Sequence, residues 1–270
     1  MLISDKHKFA FVHIPKSAGT TVRFALAELD ERSERYFDQS RREHGGLGML
    51  DFAHLPLALV KQLYPDDFAL LADYRSFALI RDPMARFSSS LHEYLHWNTD
   101  EKLAEVSPQR REEFVAQVIE KLSSLGDSEP VTDPALIHFS RQSDYVELDG
   151  KRIVTSVYPV KGIGKMMEEI SAITGTALDH SPRNQRMSYR FGALQSVSEG
   201  VQKGLKMILP RAVWKPIFLF AHSALTRTGI IRIEKPKPFS DLFGKDVESF
   251  VRKFYARDFA LLEEVSPKAA

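Results

Sequence analysis

The stretch from Phe9 to Leu29 limits what this chain can fold into more than any other. An apolar run, Phe9 to Ile14, passes directly into Pro15-Lys16-Ser17-Ala18-Gly19. Helical spacing resumes from Thr20 to Leu29, with Val22, Ala25, Leu26 and Leu29 on one side. A short apolar run bounded by turn residues reads as a buried strand, and the three-to-four spacing after it as an amphipathic helix. The unit recurs at Ser76 to Trp97, where Phe77-Ala78-Leu79-Ile80 is the strand and Arg81-Asp82-Pro83 ends it. Asp82 suits an N-cap and Pro83 the first helical residue. Strand–loop–helix units in series predict an α/β fold, with a central, mainly parallel sheet flanked by helices.

The remaining pattern agrees. Pro56 to Leu63 predicts a short helix, and Ser107-Pro108 opens another with Phe114, Val115, Val118, Ile119 and Leu122 as its stripe, ended by Gly126. Asp149-Gly150 between Tyr145–Leu148 and Ile153–Val157 predicts a hairpin. Met166, Met167, Ile170 and Ile173 mark a helix closed by Gly175. Val247 to Leu262 predicts one long C-terminal helix. With no repeat or linker in the pattern, residues 1–270 are expected to form a single domain.

Composition narrows the function. Lys+Arg is 37 against Asp+Glu 36, so a general nucleic-acid coat is not expected. There is no cysteine, which removes disulfides, thiol nucleophiles and cysteine metal sites. Asp5, Lys6, His7 and Lys8 interrupt the first apolar stretch, and the run Ile217 to Leu225 is far short of a membrane span, so a cytoplasmic protein is expected. Residues 203–237 hold eight Lys/Arg against one acid, together with Trp214, Phe218, Leu219 and Phe220. Such a segment reads either as helices packed on the core or as a peripheral contact with an anionic membrane or saccharide.

Two places promise chemistry. A helix N-terminus presents free N–H groups and a partial positive charge. The small residues Ser17, Ala18 and Gly19 allow close approach, Lys16 adds a full charge, and Thr20 and Thr21 add hydroxyls, so the first loop is a candidate phosphate cradle. It is not a nucleotide loop of the Gly-x4-Gly-Lys-Ser/Thr kind, because Lys16 precedes the glycine. The second place is Arg81 at a strand end with Ser89 on the following helix, a pair able to clamp another phosphate.

The two motifs together, HIPKSAGTT and LIRDPMARFSSS, resemble the donor-binding motifs of the sulfotransferases that use PAPS, 3′-phosphoadenosine-5′-phosphosulfate. The resemblance is nearest to the carbohydrate and membrane-associated branch, which includes heparan uronosyl 2-O-sulfotransferases and bacterial relatives. It implies a P-loop-like sulfotransferase fold. It implies that Lys16, Ser17, Ala18, Gly19, Thr20 and Thr21 hold the 5′-phosphosulfate, and that Arg81 and Ser89 hold the 3′-phosphate. It also implies transfer to a hydroxyl of a saccharide or glycolipid, release of PAP, no required metal, and a bacterial, cytoplasmic setting that extends to the inner membrane surface through 203–237. Phe139 to Tyr145 and His180 to Gln185 resemble further family segments.

Sulfuryl transfer needs a positioned donor, a neutralised leaving group and a base for the acceptor hydroxyl. His54, in Phe52-Ala53-His54-Leu55-Pro56, is the expected base, and Lys16 the group that stabilises the leaving phosphate. His13 is expected to be buried and satisfied. His138, Arg141, Arg183 and Arg186 are further candidates for touching an anionic acceptor. Three other readings stand beside this one, among them a small-molecule kinase using the first loop, which the lack of a Gly-x4-Gly-Lys-Ser/Thr pattern opposes. His92-Glu93-Tyr94-Leu95-His96 spells HExxH, the zinc-hydrolase pattern, and a fold that binds PAP or a polyanion without turnover would keep the same motifs.

Overall fold

The computed structural model describes residues 1–37, 40–99, 101, 103, 106–126, 130–179, 187–189, 231–233 and 237–266. In chain order these form β1 (Leu2–Ser4), β2 (Phe9–Val12), α1 (Gly19–Leu26), α2 (Ser33–Tyr36), β3 (Arg41–His44), β4 (Gly48–Asp51), α3 (Leu57–Leu63), α4 (Pro65–Asp73), β5 (Arg75–Ile80), α5 (Pro83–Thr99) and α6 (Pro108–Ser123). They continue with β6 (Glu147–Leu148), β7 (Lys151–Arg152), β8 (Ser156–Pro159), α7 (Ile163–Thr174), β9 (Met187–Tyr189), β10 (Ile231–Ile233), α8 (Lys245–Phe254) and α9 (Ala256–Val265). The chain divides into two compact units, Met1–Ser181 with Pro238–Ala270, and Pro182–Lys237. In the second unit β9 and β10 pair antiparallel. Apart from residues 231–233 and 237, the basic segment 203–237 lies outside the described residues, as do the candidates Arg183 and Arg186.

The central sheet of the first unit has the order β1-β2-β5-β8. β2 pairs parallel with β5, and β5 with β8, in the expected parallel arrangement. β1 adds an antiparallel edge that the apolar pattern did not announce, because three residues are too few to show a period. Every residue of β2 and all of β5 after Arg75 is buried, as expected of strands covered on both faces. Helix signals also act as read. Asp82 Oδ1 accepts the Ala85 N–H at 2.8 Å, Ser107 Oγ accepts the Arg110 N–H at 3.2 Å, and Gly175 closes α7 at φ 68° with its N–H on the Ser171 carbonyl.

Two expectations need correction. Asp149 and Gly150 do make a tight turn, both at positive φ, but the hairpin is only β6 and β7. Tyr145 sits in a 3-10 turn, and residues 156–159 instead join the central sheet as β8. The long C-terminal helix is two, α8 and α9, divided at Tyr255. The physical reason is that the chain crosses here from one core to the other, with Phe259 of α9 still packed on the core of α8. Val251, Phe250 and Phe254 of α8 pack with Phe87, Phe114 and Phe139, whereas Leu261, Leu262 and Val265 of α9 pack with the sheet core around Phe9, Phe77 and Met166. Among the described residues no helix is long and apolar enough to cross a membrane.

Candidate functional site

Both loops of interest leave the same end of the parallel pair β2 and β5. The first begins with His13 and Ile14, which are buried, and turns at Lys16 and Ala18, whose φ angles are 63° and 61°. A non-glycine residue in the left-handed region costs about 1–2 kcal/mol, so neighbours must hold it there. Three do. The fully buried Arg86 donates from Nε to the Pro15 carbonyl at 3.2 Å and from a terminal nitrogen to the Ser140 carbonyl. Arg81 donates to the Lys16 carbonyl at 3.3 Å. Ser17 Oγ donates to Gln142 Oε1 at 3.1 Å. Alternating left-handed and ordinary backbone curls N–H groups to one side, which is the shape of an anion nest. Helix α1 then starts at Gly19 with no side-chain cap and no acid in its first turn.

Gly19 is there because of His13. A methyl group at position 19 would lie 1.8 Å from His13 Cδ2 and 2.1 Å from Nε2. The ring is thus pressed against the start of α1, between Phe37 and His54. His13 is buried as expected, but its Nδ1 has no hydrogen-bond partner, so it is not satisfied.

The end of β5 is fastened to the first loop. The Arg81 N–H donates to Gln142 Oε1 at 2.8 Å, and Gln142 Nε2 donates back to the Arg81 carbonyl at 2.9 Å. On α5, Ser89 is half-buried and stands one helical turn before Glu93. Glu93 forms an ion pair with Lys16 Nζ, which shows that this face of α5 fronts the loop. Lys16, just before α1, and Arg81 are therefore brought together across 65 residues of sequence, with Ser89 one helical turn from the residue that Lys16 meets.

His54 completes the group. It ends a 3-10 turn, Phe52–His54, capped by Asp51, whose Oδ1 accepts the Ala53 N–H at 3.0 Å. Its main-chain carbonyl accepts the Tyr145 hydroxyl at 3.0 Å. Its Nδ1 lies 3.3 Å from the His13 carbonyl. A carbonyl can only accept, so Nδ1 carries the proton and Nε2 keeps its lone pair. The His54 ring centroid lies 4.5 Å from that of His13 and 5.7 Å from that of His138. Burial holds all three below the usual imidazole range: His54 to about 4, His138 to about 2, and His13 well below its ordinary value. Asp51 and the His13 carbonyl pull His54 upward, while Lys16 pushes it down. At neutral pH the three rings are uncharged.

The HExxH residues do not converge on a metal. Glu93 is engaged by Lys16, His92 Nδ1 lies 2.8 Å from the Ser88 carbonyl of its own helix, and His96 is exposed. Among the described residues no group of three or more His, Asp or Glu could hold an ion. Of the acceptor candidates, His138 is beside His54, its ring tilted against the exposed Trp97 at 5.3 Å between centroids, and Arg141 lies over Phe254.

The residues that hold the site together are Arg86, Gln142, Tyr145 and Asp258, and the sequence assigns a role to none of them, although Asp258 stands in the stretch Val247 to Leu262 that resembles a family helix. Asp258, fully buried, accepts the N–H groups of Gln142 and Ser143 at 2.8 and 2.9 Å. Beside it Asp144 is pushed up to about 7, mainly by burial, with the Asp258 charge adding to the rise and Arg141 and Arg86 opposing it. The available signal was the segment Phe139 to Tyr145 itself, noted as a stretch but not resolved into roles.

A family model described as "Sulfotransferase family" matches residues 1–152, more than half of the chain, and spans both candidate loops, His54 and Gln142. No curated protein and no solved structure matches.

Proposed function

The chain belongs to the sulfotransferase family, and from that premise we propose that it moves the sulfuryl group of PAPS to a hydroxyl of a saccharide or glycolipid, with His54 as general base. In this reading the P-loop-like cradle of Lys16 to Thr21 takes the 5′-phosphosulfate, and Arg81 with Ser89 takes the 3′-phosphate. Ser17 and Thr21 are buried, and the Ser17 hydroxyl is turned inward to Gln142, so their share falls to the main chain. The acceptor oxygen gives its proton to His54 Nε2 and bonds to sulfur, while the bond from sulfur to the 5′-phosphate oxygen breaks and PAP leaves. Lys16 and the N–H groups of α1 neutralise the charge that builds on that phosphate.

The observation that carries the reading is the joining of Arg81 to the Lys16 main chain, which makes one site of two anion motifs. The fixed tautomer of His54 supports its role, since a base must present a lone pair. Its depressed pKa keeps it deprotonated at neutral pH, and two bound phosphates would raise it toward the range where a base works best. A single domain over 1–270, a cytoplasmic bacterial setting and a peripheral membrane contact through 203–237 remain part of the proposal.

Titration calorimetry with PAP, AMP and ADP tests the donor. PAP should bind far more tightly than AMP. Arg81→Ala should weaken PAP by about 10–100-fold, the worth of charge-assisted hydrogen bonds, and AMP much less. Equal loss for both removes the 3′-phosphate role of Arg81. His54→Ala should lower kcat by about 10²–10⁴-fold with PAP affinity kept. Unchanged turnover would exclude His54 as base.

A further inference from the structure

The main chain of Arg81 and the hydroxyl of Ser17 meet at one buried side chain, that of Gln142. We infer that Gln142 is a positioning residue that sets the separation of the two anion sites, and so makes the chain selective for nucleotides phosphorylated at both the 3′ and 5′ positions. The inference rests on the PAPS reading above.

A glutamine amide offers two lone pairs on oxygen and two N–H donors. Here both lone pairs are used, one by the Ser17 hydroxyl at 3.1 Å and one by the Arg81 N–H at 2.8 Å. One donor goes to the Arg81 carbonyl at 2.9 Å. The amide thus grips both main-chain groups of Arg81 as a neighbouring strand would, at the point where β5 has ended. Its other end is fixed as well, because the Gln142 N–H is held by Asp258 of α9 at 2.8 Å. The result is a strut from α9 to Arg81 to the first loop, built from residues far apart in sequence.

Few side chains can make this connection. Leucine has neither donor nor acceptor, a carboxylate has no donor for the Arg81 carbonyl, and asparagine is one methylene short. A ligand with two phosphates on a rigid nucleoside gains from both sites at once only if their spacing matches its own. A ligand with a single phosphate is indifferent to that spacing. Removing the strut should therefore cost PAP its second contact, while AMP loses only what the Ser17 bond gives the first loop, which Arg86 still holds at Pro15.

The experiment compares Gln142→Leu and Gln142→Asn with the wild type by calorimetry with PAP and AMP, alongside thermal unfolding and amide hydrogen exchange of the nucleotide-free proteins. The expected result is an affinity ratio of PAP to AMP at least tenfold lower in Gln142→Leu, AMP affinity within about threefold of wild type, and an intermediate ratio in Gln142→Asn. The Arg81 amide should exchange faster in both variants. A merely structural role would lower the unfolding temperature but leave the ratio of the folded protein unmoved, and that outcome overturns the inference, as does equal weakening of both nucleotides. Should wild type bind neither nucleotide, the PAPS reading fails and the selectivity inferred for Gln142 falls with it. Unchanged exchange at Arg81 would then show separately that the strut itself is wrong.

Discussion

Gly19→Ala perturbs the site at its tightest point. The new methyl would sit 1.8 Å from His13 Cδ2 and 2.1 Å from Nε2, so the imidazole has to move by well over an ångström. It has little room. Phe11, Phe37 and His54 surround it at 6.3, 6.0 and 4.5 Å between ring centroids. Position 19 is not at positive φ, so crowding alone is at issue and backbone strain adds nothing. Overpacking of this kind costs about 1–3 kcal/mol. For a chain of this size each kcal/mol is worth roughly 2–4 °C in the unfolding midpoint, so a fall of about 2–12 °C is expected by circular dichroism. Turnover should suffer more than stability, because the ring that moves lies against His54, and a shift near 1 Å can cost about 10²-fold in rate. The decisive measurement is the double variant with His13→Ala, which removes the obstructing ring. Gly19→Ala should then be much less costly, with a coupling of about 1 kcal/mol or more between the two positions. A midpoint for Gly19→Ala within 1 °C of wild type, or strictly additive effects in the double variant, would refute the claim that His13 dictates glycine there.

Other expectations follow from the same geometry. Glu93→Gln takes from Lys16 its carboxylate partner and removes a negative charge from the anion site. PAP affinity should rise by roughly tenfold, a change near 1.4 kcal/mol, and a weaker PAP complex would show that Glu93 instead orients Lys16 for the ligand. Asp144 titrates in the folded chain at about 7, above its unfolded value, so its contribution to stability falls as pH rises between those values. Asp144→Asn should therefore gain stability relative to wild type from about pH 4 to pH 7 and level off above, a trend that urea melts at several pH values will read. His138 has the opposite sign. Its folded pKa is depressed to about 2, so the unfolded chain takes up a proton first and stability is lost as pH falls below about 6.5. His138→Gln should flatten that acid loss, and an unchanged acid limb would mean that the ring is not buried neutral.

The elements that were legible in advance are those whose cause is local. The two strand–loop–helix units, the caps at Asp82 and Ser107, the Gly175 stop and the small-residue loop before α1 all follow from periodicity, a capping oxygen or a missing Cβ within a few residues. The residue types of the candidate anion site stand in the sequence for the same reason, since Lys16 to Thr21 and Arg81 to Ser89 are each short runs with a chemistry of their own. The edge strand β1 was too short to carry a signal, and the break at Tyr255 could not be seen because Phe250, Phe254 and Leu261 keep helical spacing across it. The break is imposed by two cores that pull on the two halves.

The chain by itself thus determined which groups could hold anions and on which kind of element each would stand. Only the tertiary structure decided that they share one site. Ser17, Arg81, Gln142 and Asp258 are joined by hydrogen bonds whose partners lie 61 to 125 residues apart. The state of His54 is also a tertiary outcome, fixed by a carbonyl 41 residues away and by the burial of its ring. The physical reason is one of range. Propensity, capping and turn chemistry act between near neighbours and are written in short words of sequence. A hydrogen bond that closes a long loop forms only after packing has brought its ends together, so its partners carry no mark that reading along the chain could find.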